Sequence, residues 1–133
     1  MRAQEITENI AGRNRSRVYD LLVNAIGSGP FDGGCVVMAQ AIQQLVGGDI
    51  VVLVGNTRPN GVEQAQHAAV KIGDRLVDFD GVAPVTDFVR RFERNELAHT
   101  GGKITGIRQI QPKDLPEAPR DATLAAKLAR MMS

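Results

Sequence analysis

The sequence predicts an α+β fold in which a small antiparallel sheet packs on a central helix bearing Cys35 at its N-terminus. Three observations carry that reading. Apolar residues repeat at helical spacing in two stretches, one stopped by Gly27 and one running over residues 35–46. Ile50-Val51-Val52-Leu53-Val54 is an unbroken apolar run, mostly β-branched, of the kind that forms a strand covered on both faces. Residues 66–72 and 75–80 read as strands joined by Gly73-Asp74, and glycine first in a two-residue loop suits a type II′ hairpin turn.

Taken in order, residues 6–26 read as one helix, with Val18, Leu21, Leu22, Ala25 and Ile26 at helical spacing and Gly27-Ser28-Gly29-Pro30 as its stop. A glycine-rich loop over 27–34 leads to the second helix. Its broad stripe is Cys35, Met38, Ala39, Ile42, Leu45 and Val46. Val36, Val37 and Ala41 make the other side apolar too, so a buried, central helix is expected. Residues 55–65 form a polar loop. The two-residue turn then sets the hairpin register. Ile72 faces Arg75, Val70 faces Val77, Ala68 faces Phe79 and His67 faces Asp80. One face of the hairpin carries Ala68, Val70, Ile72, Val77 and Phe79. The other gathers His67, Asp78 and Asp80. Thr86 is placed to cap a helix over 86–98, and residues 103–110 read as a further strand. Pro112, Pro116 and Pro119 mark an irregular connector over 112–120, and residues 121–133 read as a short amphipathic helix. A single domain over 1–133, with its core over 16–111, accounts for the whole chain.

Composition narrows the function classes. With 16 basic and 15 acidic residues the net charge is +1, so there is no electrostatic footprint for a polyanion, and Arg13, Arg15 and Arg17 read as a solvated helix face. Aromatic residues make up 4% of the chain and tryptophan is absent, which removes stacking platforms for single-stranded nucleic acid. No nucleic-acid or membrane partner is expected. The first residues lack the apolar core of a signal peptide and no apolar stretch reaches spanning length, so a cytoplasmic protein is expected. The glycine loop fails as a dinucleotide fingerprint, because Asp32 stands at the last glycine position and a helix, not a strand, precedes it. Two histidines and one cysteine lack the paired spacing of a zinc site, and no metal or organic cofactor is implied.

The chemistry centres on that one cysteine. A thiol at a helix N-terminus has its anion favoured by unpaired N–H groups and the helix dipole. Gly33 and Gly34 before it are small enough to let a substrate and an oxyanion approach the sulfur and the local backbone, and Asn24 is a candidate side-chain donor. An imidazole at His67, oriented by a carboxylate from the neighbouring strand, completes a nucleophilic set. Asp80 lies directly across in the predicted register and Asp78 diagonally. Both are candidates.

The order of helix, glycine loop, cysteine at a helix start, strand, histidine strand and aspartate strand resembles the core of the papain-like superfamily. The likeness is to its circularly rearranged members: transglutaminases, arylamine N-acetyltransferases, cell-wall endopeptidases and papain-fold toxins. The motifs that carry it are Gly33-Gly34-Cys35, His67-Ala68-Ala69-Val70 and Leu76-Val77-Asp78-Phe79-Asp80-Gly81. The resemblance implies Cys35 as nucleophile, His67 as general base and then acid, and an acidic orienter. Leu76-Val77-Asp78 looks like the acetyltransferase pattern and ranks Asp78 before Asp80. The chain has no glutamine or asparagine at the position where papain holds its oxyanion. The expectation is a cysteine-dependent amide hydrolase or acyltransferase acting on a peptide or a glutamine-type amide. The competing expectation is an inactive papain-like domain that serves as a protein-binding module.

Overall fold

The computed structural model describes residues 1–133, the side chain of Arg13 excepted, so that member of the basic cluster lies outside what is described below. Helices α1 (Ala3–Asn9) and α2 (Arg15–Ile26) lead into the glycine loop and α3 (Cys35–Val46). Strands β1 (Asp49–Gly55), β2 (Gln64–Ile72), β3 (Arg75–Asp78) and β4 (Gly81–Pro84) follow, then α4 (Val85–Phe92), β5 (Ile104–Gln109) and α5 (Ala122–Met132). The sheet is antiparallel throughout, in the order β4-β3-β2-β1-β5. The protein is α+β, with five strands. Among the described residues no helix is long and apolar enough to cross a membrane.

The turn at Gly73-Asp74 forms with Gly73 at φ +61°, the sign both primed hairpin turns require at that position. It sets Ile72 opposite Arg75 and Val70 opposite Val77. Val52, Ala68, Val70, Val77 and Phe79 then face α3, and Val51, Leu53, Ala69 and Leu76 face Phe88 and Phe92 of α4. Helices therefore cover both faces of the sheet. α3 is central, as its all-round apolar sequence requires: β2 and β3 lie on one side of it and α5 on the other. Asp121 caps α5 by accepting from the Leu124 N–H at 3.0 Å. The helix buries Leu124, Leu128 and Met132, each contributing about 1.5–3 kcal/mol of transfer free energy.

Three expectations change. The first helix is two, because the backbone at Gly12 leaves the helical region (ψ −142°). Ile6 and Ile10 before the break are buried like Val18 and Leu22 after it, so apolar spacing passes through unaltered. Thr86 does not cap α4; Pro84, extended at ψ 149°, holds that position, and the Val85 N–H is taken by the Asp74 carbonyl at 3.0 Å. Finally, the strand expected to run to residue 80 ends at Asp78. Phe79 and Asp80 form the tip of a second hairpin in which Asp78 pairs with Gly81.

The connector is ordered by two arginines. Arg108 from β5 donates both guanidinium nitrogens to the buried carboxylate of Asp114, at 2.5 and 2.7 Å, and the Gln111 N–H adds a third bond at 2.8 Å. These hydrogen bonds outweigh burial and hold the Asp114 carboxyl down at about 2. Arg120 donates to the carbonyls of Leu115 at 2.6 Å and Ala118 at 2.9 Å. The segment over 110–120 is thus a fixed wall.

Candidate active site

Loop 27–34 delivers Cys35 through close packing. The Gly34 N–H donates to the Gly29 carbonyl at 2.8 Å, and Asp32 accepts from the Gly29 N–H at 2.5 Å. A Cβ on Gly34 would stand 2.7 Å from Leu22 Cδ2 and 2.8 Å from the Gly29 oxygen, and one on Gly33, at φ +139°, 2.9 Å from Ser28. The glycines are therefore required by the turn itself, not by access to the sulfur alone. Gly34 also has its N–H committed, which removes it as an oxyanion donor. Gly34→Ala is expected to lower stability by about 1–3 kcal/mol through overpacking against Leu22, measured as a fall in the urea midpoint at unchanged slope.

Cys35 opens α3 nearly buried, at 6% exposure. The Met38 N–H reaches back to the Gly34 carbonyl at 3.0 Å, so the N–H groups of residues 35–37 precede the helical ladder. Burial alone pushes the thiol up. A hydrogen bond with His67, the charge on that imidazole and the N–H groups of Ala68 and Cys35 together outweigh it, and the thiol is left below its ordinary value.

His67 sits on β2 beside a β-bulge. Leu53 pairs with His67 and Val54 with Ala65, leaving Gln66 as the extra residue. The imidazole is held between Phe31 and Phe92, with ring centroids 4.9 and 5.0 Å away and planes tilted by only 12° and 22°. Its Nε2 lies 2.9 Å from Asp78 Oδ2. Nδ1, the ring's other nitrogen, is the one left for the interaction with Cys35. Burial pushes the imidazole down, but the hydrogen bonds to Asp78 and Cys35 and the negative charge on both raise it to about 9. The two shifts, thiol down and imidazole up, both favour the ion pair of thiolate and imidazolium.

Asp78 is buried and fully engaged. Oδ2 accepts from His67, and Oδ1 accepts from the Asp80 N–H at 2.8 Å and Arg91 Nη2 at 3.0 Å. Asp80 is not part of this group: its carboxylate turns outward to Arg15 at 3.0 Å, and that guanidinium lies 4.3 Å over the Phe79 ring. Of the two candidate carboxylates, then, one meets His67. Asn24 stands exposed near the end of α2 and does not line the cleft over Cys35, because it lies on the helix's solvent side, off the buried stripe of Val18 and Leu22.

That cleft has a volume of about 800 Å³ and opens onto Cys35. Its walls are the glycine loop from Ser28 to Gly33, the start of β2 from Glu63 to Gln66, and the connector from Lys113 to Ala118. Sequence reasoning missed Phe31, Arg91 and Phe92. The last two carried a usable signal. Phe88, Arg91 and Phe92 fall at i, i+3 and i+4 on α4, and a cation flanked by buried aromatics calls for a carboxylate beneath it. The chain matches no protein-family model, no curated protein and no solved structure.

Proposed function

We propose that this protein is a cysteine-dependent amide hydrolase or acyltransferase built on a papain-like core, acting on a peptide or on a glutamine-type amide. The observation that supports it most is a single imidazole that is bonded to a buried carboxylate and interacts with a thiol facing a cleft. A binding module has no use for that alignment.

In the proposed reaction the Cys35 thiolate attacks the amide carbonyl carbon, a C–S bond forms, and the carbonyl oxygen becomes an oxyanion. The N–H of Cys35 at the start of α3, which precedes the helical ladder, is a donor for that charge. The His67 imidazolium then gives its proton to the leaving nitrogen as the C–N bond breaks, producing a thioester and an amine or ammonia. Water or an amine attacks the thioester, His67 accepts its proton, and the C–S bond breaks to return the thiolate. Asp78 stays ionised throughout and stabilises the imidazolium.

The experiment is acylation with p-nitrophenyl acetate, followed by assay of ammonia or new amine termini from glutamine-containing peptides. One acetyl group on Cys35 by intact mass, absent in Cys35→Ala, is expected, with turnover of the peptides. A wild-type chain that is neither acetylated nor active overturns the reading. The pH profile is a second check. Activity should rise with pH through a thiol value below the ordinary one and fall through about 9 as His67 loses its proton.

A further inference from the structure

The conformation of Asp78 must itself be held. The charged and titratable groups facing the His67–Asp78 pair are Cys35 from α3 and Arg91 from α4, while Asp80 is occupied by Arg15 of α2. Arg91 Nη2 donates to Asp78 Oδ1 at 3.0 Å and to the Gly81 carbonyl at 3.2 Å, so both hydrogens of that nitrogen are used. The guanidinium also lies 4.7 Å over the Phe88 ring, one turn back on the same helix. The next residue, Phe92, supplies one of the two rings that sandwich His67.

We propose that Arg91 is a positioning residue: it fixes Oδ1 of Asp78, together with the Asp80 N–H, so that Oδ2 is the oxygen presented to His67. This rests on the catalytic reading of the same site. The division of labour within the carboxylate is the observation that carries it. Two donors converge on Oδ1 from β4's hairpin and from α4, and only the imidazole meets Oδ2. Without Arg91 the carboxylate keeps a single backbone anchor on Oδ1, and rotation about its Cα–Cβ and Cβ–Cγ bonds costs it little.

The direction in which His67 moves distinguishes this role from the alternatives. A cation close to an imidazolium disfavours protonation, so removing Arg91 purely as a charge would raise the His67 titration midpoint. Removing it as a positioner releases Asp78 and lowers that midpoint. The chain has two histidines, so His99→Gln assigns the signals in histidine-labelled protein. In Arg91→Met we expect the His67 midpoint to fall from about 9 toward the ordinary 6.5. Alkylation of Cys35 by iodoacetamide at neutral pH should slow about tenfold, in step with the thiolate fraction. Arg91→Lys, whose ammonium has hydrogens for both acceptors, should recover most of each. A midpoint that rises, or one that stays put while only the melting temperature falls, overturns the proposal. Loss of the fold in both Arg91→Met and Arg91→Gln also overturns it, because Arg91 is then structural. A wild-type protein whose His67 and Cys35 titrate independently would instead defeat the catalytic reading, whatever Arg91 does.

Discussion

Replacing His67 by alanine should leave Cys35 a sluggish thiol across the pH range in which the chain stays folded, although the sulfur itself is untouched. In the wild type, burial works against the thiolate, and it is the His67 hydrogen bond and charge that lead the opposing set. Take them away and the desolvation remains, with only the N–H groups of Ala68 and Cys35 against it. The thiol then moves above its ordinary value. Where a thiol's pKa lies above the working pH, every rise of one cuts the thiolate fraction about tenfold, so iodoacetamide labelling at pH 7 should slow by about tenfold or more. His67→Gln keeps most of the volume between Phe31 and Phe92 and separates this effect from collapse of the stack. The check is the second-order labelling rate against pH, read by mass. Wild-type rates and an unchanged profile in both variants would show that the two side chains do not share a proton.

The largest loss of stability is expected at Asp78. Its side chain is 5% exposed and it neutralises two cations, His67 at 2% and Arg91 at 21% exposure. Asp78→Ala leaves a buried imidazolium with only Cys35 beside it and a guanidinium reduced to the Gly81 carbonyl. Breaking a buried pair in this way costs about 3–5 kcal/mol, on the order of 10 °C in melting temperature for a chain of this size. Asp80→Ala removes a solvent-exposed pair with Arg15 and should stay within about 1 kcal/mol, with labelling of Cys35 unchanged. The pH dependence has a definite sign. His67 titrates near 9 when folded against 6.5 when unfolded, so its contribution to stability is complete below 6.5 and is lost as pH rises through 9. In Asp78→Ala that decline should flatten. Thermal melts at several pH values, compared between the two aspartate variants, decide the matter; equal losses would contradict the assignment of Asp78 over Asp80.

Much of this geometry could be read in the sequence where a local rule determines it. The two-residue turn at Gly73 leaves one register, so Val70 and Val77 pair as expected and His67 shares a side with Asp78. The error came from extending that ladder past its end. Asp80-Gly81 is itself a chain-reversal signal, and heeding it would have stopped the strand before Asp80; the structure turns one residue earlier, at Phe79-Asp80, so β3 ends at Asp78, the short β4 follows and Asp80 points outward. The rest depends on packing between distant segments, which periodicity does not encode. Phe31 and Phe92 come from opposite ends of the core to flank one ring. The connector, read as irregular from its prolines, becomes a cleft wall through Arg108 and Arg120, whose partners lie within six residues along the chain but at no periodic spacing. Gly34, read as room for a substrate, is room for Leu22.

The extra residue in β2 at Gln66 has an evolutionary consequence. It uncouples the lip of the cleft at 63–65 from the regular ladder that carries the imidazole. Substitutions at the lip therefore leave the ring undisturbed, so under the proposed reaction a lineage built on this scaffold could change what it admits without changing its chemistry.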